Sequence, residues 1–210
     1  MKISHIAAAA LLTFTAAGSM AASVTLTGAN FDVTYDDAAL GLFGSSVTLT
    51  GNQLSFFPTS FAAQSSSGIV VTNSTIALKV SAHDGYNLSS FGLAEGGDYF
   101  YFSNSAAPMA AGVSVSGQMR VTPLPGSTTS APIVPAGVFT ANSFLNFSTT
   151  DWTATASVNA PLNTKLANVS IQNILAGDQA MTVYKPIKAE AFAAAEVAIR
   201  LLKGESIDDL

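Results

Sequence analysis

The chain contains no cysteine. No disulfide can staple it and no thiolate can act as nucleophile or metal ligand, so burial alone must hold the fold. Charge is scarce as well: Asp, Glu, Lys and Arg make up 10% of the residues, with a net charge of −5. A nucleic-acid partner needs a cationic surface to displace counterions from phosphates, and this composition excludes one. Histidine occurs twice and tryptophan once, which leaves little material for imidazole chemistry or aromatic platforms. Long apolar runs are missing too. The segment 189–202 comes closest to a membrane span, but Glu190, Glu196 and Arg200 interrupt it, so no transmembrane span is expected.

What the chain has in abundance is threonine, serine, alanine and valine in alternation. Phe31, Val33 and Tyr35 alternate with Asp32, Thr34 and Asp36. Ile76, Leu78 and Val80 alternate with Ala77, Lys79 and Ser81, and Trp152, Ala154, Ala156 and Val158 alternate with Thr153, Thr155 and Ser157. Successive strand side chains point to opposite faces, so each pattern buries one face and wets the other. Further short runs are punctuated by Gly28, Gly51-Asn52, Gly85 and Gly96-Gly97. The expected fold is all-β, an antiparallel β-sandwich of jelly-roll type over 22–175. Pro123–Pro135 holds four prolines and reads as a surface loop. The hexapeptide Ser-Val-Thr-Leu-Thr-Gly occurs at Ser23–Gly28 and again at Ser46–Gly51. It marks either a duplicated strand unit or a coincidence of composition.

Both ends differ from this body. Residues 1–21 read as a secretory signal peptide: Lys2 gives the positive start, Ile6–Thr15 the apolar core, and Ser19-Met20-Ala21 the small-residue flank of a cut after Ala21. The expected location is therefore secreted or periplasmic. At the other end, 176–210 reads as a strand–helix tail. Met181–Tyr184 is a short strand, and a helix is expected from about Ala189 to Lys203. Phe192, Ala195, Ile199 and Leu202 form its apolar stripe, and Gly204 its cap. Five of the eight Lys and Arg fall in the last 46 residues.

Two resemblances follow these pieces. Ala29–Gly44, Phe57-Pro-Thr-Ser-Phe61 and Leu93–Tyr99, behind the signal peptide, resemble bacterial secreted proteins of the PEP-CTERM sorting class over about residues 1–175. The class's closing Pro-Glu-Pro motif, apolar span and basic cluster do not appear in the sequence. This resemblance implies an exported β-rich protein tied to the cell surface or an exopolysaccharide matrix. Ile174–Ile187, with Met181-Thr-Val-Tyr-Lys-Pro-Ile187 as its specific core, is similar to the C-terminal lobe of periplasmic xylose-type sugar-binding proteins of ABC importers, over about 171–206. That resemblance implies that Lys185 contacts a sugar.

The remaining candidates are single constellations. His83-Asp84 with Ser81 or Ser89 would supply a triad, but Asp84-Gly85 reads as a hairpin turn and no Gly-x-Ser-x-Gly elbow frames a serine. Glu95 and Asp98 would supply paired carboxylates, but they flank Gly96-Gly97 and read as an exposed turn. Asp32, Asp36 and Asp37 would supply oxygen ligands for Ca²⁺, but no calcium loop follows. Trp152, Tyr99, Tyr101 and Phe102 are candidate sugar-stacking aromatics, but aromatics in alternating strands more often pack in the core or at an edge. Asn73, Asn87, Asn146 and Asn168 open Asn-x-Ser/Thr triplets. The expectation is a non-enzymatic envelope protein with a structural or adhesive role and glycan contact, without catalytic residues, metal or cofactor. The alternative is a periplasmic xylose-type sugar-binding component of an ABC importer. Polysaccharide or monosaccharide is the expected partner, and Lys185 the one ligand-binding residue.

Overall fold

Alternation sets the strands. The computed structural model describes residues 22–65, 68–99, 113–139 and 149–177, and the backbone of 193–196. In chain order they form β1 (Ser23–Thr27), β2 (Phe31–Asp36), two short 3-10 turns (Asp37–Ala39 and Gly41–Phe43), β3 (Val47–Thr50) and β4 (Gln53–Phe56). The long strands β5 (Val70–Ala82), β6 (Leu88–Tyr99) and β7 (Val113–Pro123) follow. Then come β8 (Thr129–Pro132), β9 (Val134–Pro135), β10 (Thr150–Thr164), β11 (Leu166–Gly177) and β12 (Ala193–Glu196). All pairings are antiparallel, so the all-β class holds.

The strands fall into two six-stranded sheets, ordered β1-β2-β5-β11-β7-β8 and β3-β4-β12-β6-β10-β9. We call them the first and second sheet. Their apolar faces supply one continuous cluster. Phe31, Val33, Ile76, Val80, Val121 and Ile171 come from the first sheet, and Leu54, Phe56, Leu88, Phe91, Ala154 and Val158 from the second. Each is at most 3% exposed. Phe43, on the second 3-10 turn, stands edge-on to Phe56 and Phe61 at 5.7 and 5.9 Å between ring centres, so the loop after β2 is also sewn into the interior.

Three expectations change. Pro123–Pro135 is not a free loop, because β8 and β9 lie in it and form the last strand of each sheet. Proline lacks a ladder donor and is tolerated at such edges, which is where Pro132 and Pro135 sit. Asp84-Gly85 does turn, with Tyr86 N–H donating to His83 O at 3.1 Å, but it carries the chain from β5 in one sheet to β6 in the other and closes no hairpin. The helix expected over about Ala189–Lys203 meets the described residues only at Ala193–Glu196. There the backbone is extended, paired with β4 and touching β6. Alanine's helix preference is a weak local term, and here the ladder groups of β4 and β6 outweigh it. The rest of that segment, the expected strand Met181–Tyr184 and the expected signal peptide of residues 1–21 lie outside the described residues.

Candidate functional site

The interior is apolar along most of its length and turns polar at one end. On β6 the inward residues run Phe91, Leu93, Glu95, Gly97, Tyr99, and on β11 they run Val169, Ile171, Asn173, Leu175. Glu95 and Asn173 are 3% and 5% exposed. Asn173 Nδ2 donates to Glu95 Oε2 at 2.5 Å, which joins the second sheet to the first. Asn173 is flanked in register by Ser74 on β5 and Gly117 on β7, and Glu95 by Ala154 on β10. Ser74 Oγ accepts from Leu42 N–H at 3.3 Å, and Thr72 Oγ1 donates to Ala62 O at 2.7 Å, so both neighbouring hydroxyls engage loop backbone.

Two atoms of the pair, Glu95 Oε1 and Asn173 Oδ1, have no hydrogen-bond partner among the described residues. Both are acceptors when the carboxyl is ionised. Burial pushes the Glu95 carboxyl up from its ordinary 4.5 to about 7, and the Asn173 hydrogen bond pulls the other way. A proton on Oε1 would convert one lone acceptor into a donor and remove part of the mismatch. The expectation that Glu95 and Asp98 stand together in an exposed turn is overturned. β6 runs straight through Gly96-Gly97, and alternation sends Glu95 inward and Asp98 to the opposite face. They cannot share one substrate atom as an acid/base pair.

Beside the pair lies the only tryptophan. Trp152 stands opposite Gly97 in the β6–β10 register and packs against the core. A Cβ at Gly97 would come within 2.9–3.0 Å of the Trp152 ring, so the indole occupies the space that glycine leaves open. Tyr99 is buried and meets Phe139 edge-on at 5.1 Å. Trp152 and Tyr99 are therefore packing residues rather than an exposed stacking platform. Tyr101, Phe102, Asn146 and Lys185 lie outside the described residues.

His83 pairs with Asp32 and not with its neighbour Asp84: Nε2 and Asp32 Oδ1 are 2.9 Å apart. The bond to Asp32 holds the imidazole pKa above its usual 6.5, against some burial, with a further hydrogen bond to the Ala29 backbone. Ser81 stands opposite Asp32 in register, so serine, histidine and aspartate do converge at this corner. The ring is engaged at Nε2 by Asp32, which favours its protonated form. Ser89 belongs to the other sheet. Asp32 and Asp36 share the outer face of β2, Asp36 Oδ1 accepts Ala38 N–H at 3.0 Å, and Asp37 enters the 3-10 turn. Among the described residues no three His, Asp or Glu gather as metal ligands.

The outer faces are paved with short polar side chains. Across the first sheet, Thr25, Thr34, Lys79, Asn168 and Thr122 fall in one register row spanning β1, β2, β5, β11 and β7. Thr25 and Thr34 hydroxyls hydrogen-bond at 2.9 Å, and Thr122 extends the row to Thr128 at 2.7 Å. Asn73 and Asn168 stand exposed on this same face. On the second sheet, β10 exposes Asp151, Thr153, Thr155, Ser157 and Asn159. Among the described residues no helix is long and apolar enough to cross a membrane. Comparison with known protein families, characterised proteins and solved structures finds no match for this chain.

Proposed function

We propose that the chain is an exported, non-enzymatic antiparallel β-sandwich with a structural or adhesive role at the cell envelope or extracellular matrix, where its flat polar faces contact glycans. The observation that carries this reading is the row of Thr25, Thr34, Lys79, Asn168 and Thr122 across five strands. Neighbouring strands lie about 4.8 Å apart, so such a row offers hydroxyl, amide and ammonium groups at a regular repeat, as an extended sugar polymer would require. The sandwich reading is supported by the single apolar cluster to which both sheets contribute. Export is supported by the charge, apolar core and small-residue flank of residues 1–21. Against an acid/base pair of Glu95 and Asp98 stands the inward burial of Glu95.

The test is retention on insoluble and gel-embedded polysaccharides, comparing the parent chain with Thr34→Val/Asn168→Val. Loss of retention in the variant, with an unchanged circular dichroism spectrum, is the expected result. Equal retention of both proteins, or none of either, would refute glycan contact through this face. N-terminal sequencing of the exported protein should begin at Ala22.

A further inference from the structure

The repeated hexapeptide acquires a place in the fold. Ser23–Gly28 supplies β1 and Ser46–Gly51 supplies β3, and these are the first strands of their two sheets in spatial order. Each opens an antiparallel hairpin, β1–β2 and β3–β4. The two hairpins are tied where they turn: Asn30 Nδ2 donates to Asn52 Oδ1 at 3.2 Å. Gly28 packs so closely there that a Cβ would lie 2.9 Å from Phe31 O and 3.0 Å from Leu49 Cδ2. The two copies therefore stack, one per sheet, along a single side of the molecule.

Among the described residues nothing guards that side. An edge strand presents unpaired N–H and C=O groups, and proteins usually blunt it with charge, proline or a bulge. Neither β1 nor β3 contains a charged residue or proline, and the ladders β1–β2 and β3–β4 run in unbroken register. The opposite side is built otherwise. β8 and β9 end the two sheets there, and Pro132 and Pro135 remove ladder donors from both. Among the described residues no strand lies beyond β1 or β3.

The direction of the free groups follows from the hairpin. Gly28 N–H donates to Phe31 O at 2.9 Å, and Asp37 N–H donates to Ala22 O at 3.2 Å. In an antiparallel ladder the hydrogen-bonded pairs alternate, so Val24 and Leu26 also bond inward to β2. Ser23, Thr25 and Thr27 then aim their backbone N–H and C=O groups away from the sheet. The spacing is symmetric about Thr25. We propose that the β1/β3 side is a self-association surface, on which a second copy of this chain adds β1 to β1 antiparallel about a two-fold axis at Thr25.

In this pairing Thr25 faces Thr25 of the second copy and Ser23 faces its Thr27. Three donors from each of two chains make six backbone hydrogen bonds, and the three outward residues of each chain are all satisfied. The axis stands perpendicular to the sheets, so it also brings β3 alongside its counterpart in the other layer. Six strands plus six gives a twelve-stranded first sheet. Because the patch meets itself and the far side carries proline, the contact closes as a dimer instead of propagating into a fibre. The inference does not depend on glycan binding.

The chain lacks cysteine, which makes the test direct. Thr25→Cys introduces the sole thiol, at a pair whose Cα separation of about 5.5 Å suits a disulfide. Mild oxidation should convert that variant to a covalent dimer, while Ser130→Cys on the far edge stays monomeric. Sedimentation of the parent chain should show a concentration-dependent dimer. Thr25→Pro removes an outward N–H together with the exposed Thr25–Thr34 hydroxyl contact but no β1–β2 ladder bond, and Thr25→Lys sets like charges opposite each other; both should sediment as monomers with an unchanged circular dichroism spectrum. A parent chain that stays monomeric throughout the micromolar range would overturn the proposal. So would a dimer that survives both substitutions, cross-linking through position 130 instead of 25, or open-ended oligomers.

Discussion

Asn173 on β11 donates a 2.5 Å hydrogen bond to Glu95 on β6, and this bond joins the two sheets through an interior built mainly from apolar side chains. The bond satisfies one oxygen of the carboxyl and one nitrogen of the amide. It leaves Glu95 Oε1 and Asn173 Oδ1 without partners among the described residues. Both sit where water cannot screen them, so the protonation state of Glu95 matters to the whole fold.

Stability should fall as the pH rises from about 4.5 toward neutrality. The folded carboxyl titrates at about 7 against an ordinary 4.5, so the folded state holds its proton longer than the unfolded chain. The resulting stabilisation is fully present below about 4.5, declines between 4.5 and 7, and is gone above that window. Its size is on the order of 3 kcal/mol. His83 acts in the same direction, since its pKa is also raised and its contribution disappears as the pH climbs through its folded value. Glu95→Gln separates the two. The variant keeps a neutral group and a permanent donor, so urea midpoints measured from pH 4.5 to 8.5 should flatten except for the histidine part. A pH profile unchanged by Glu95→Gln would refute a neutral buried Glu95.

The pair should also be non-additive. Asn173→Leu leaves a buried carboxyl without its donor, and a single orphaned group of this kind costs about 1–3 kcal/mol. Glu95→Leu orphans the Asn173 amide at a similar cost of about 1–3 kcal/mol. Replacing both partners with apolar groups of comparable volume leaves nothing unsatisfied, so the double variant should be close to the parent or above it. Denaturant unfolding of the four proteins gives the coupling directly. Additive losses would mean that the hydrogen bond contributes little to holding the sheets together.

At the surface, the His83–Asp32 contact makes a prediction readable by NMR. The bond to Asp32 is the largest influence on the imidazole, so Asp32→Asn should bring the His83 pKa down toward its ordinary 6.5. Asp84→Asn should move it much less, because Asp84 is the smallest of the influences on the ring. A larger shift from Asp84 than from Asp32 would reverse the pairing described for this corner.

Much of this fold was legible in the alternation, and the misreadings have physical causes. Phe31, Val33 and Tyr35 and the Ile76–Val80 run lie inward as their period-two spacing demands. Glu95 carried the same signal, since Phe91, Leu93, Glu95 and Tyr99 share one parity, but Gly96-Gly97 reads locally as a turn. What straightens that stretch is non-local: β10 pairs along its whole length. Asn173 was equally marked by parity with Val169 and Ile171, yet its partner lies 78 positions away, a separation no local pattern reports. The prolines of Pro123–Pro135 signalled a loop because edge strands and loops tolerate proline alike. The hexapeptide repeat was visible from the start, and only the strand order reveals that both copies are edges.

Gly97 offers the sharpest local test. Trp152 lies across it, and an added methyl would meet Trp152 Cζ2 at 2.9 Å and Cε2 and Nε1 at 3.0 Å. Real side chains do not approach that closely, so Gly97→Ala must push the indole aside or bend β6. Overpacking of this sort costs about 1–3 kcal/mol. Because Trp152 is the only tryptophan, its fluorescence reports the displacement without interference. The emission should shift to longer wavelength as the ring leaves the Gly97 groove, and the urea midpoint should drop in parallel. Gly137→Ala serves as the control, since a methyl there meets nothing within 4 Å. If Gly97→Ala leaves both emission and midpoint at parent values, the indole does not rest on Gly97, and the polar end of the interior is packed differently from this arrangement.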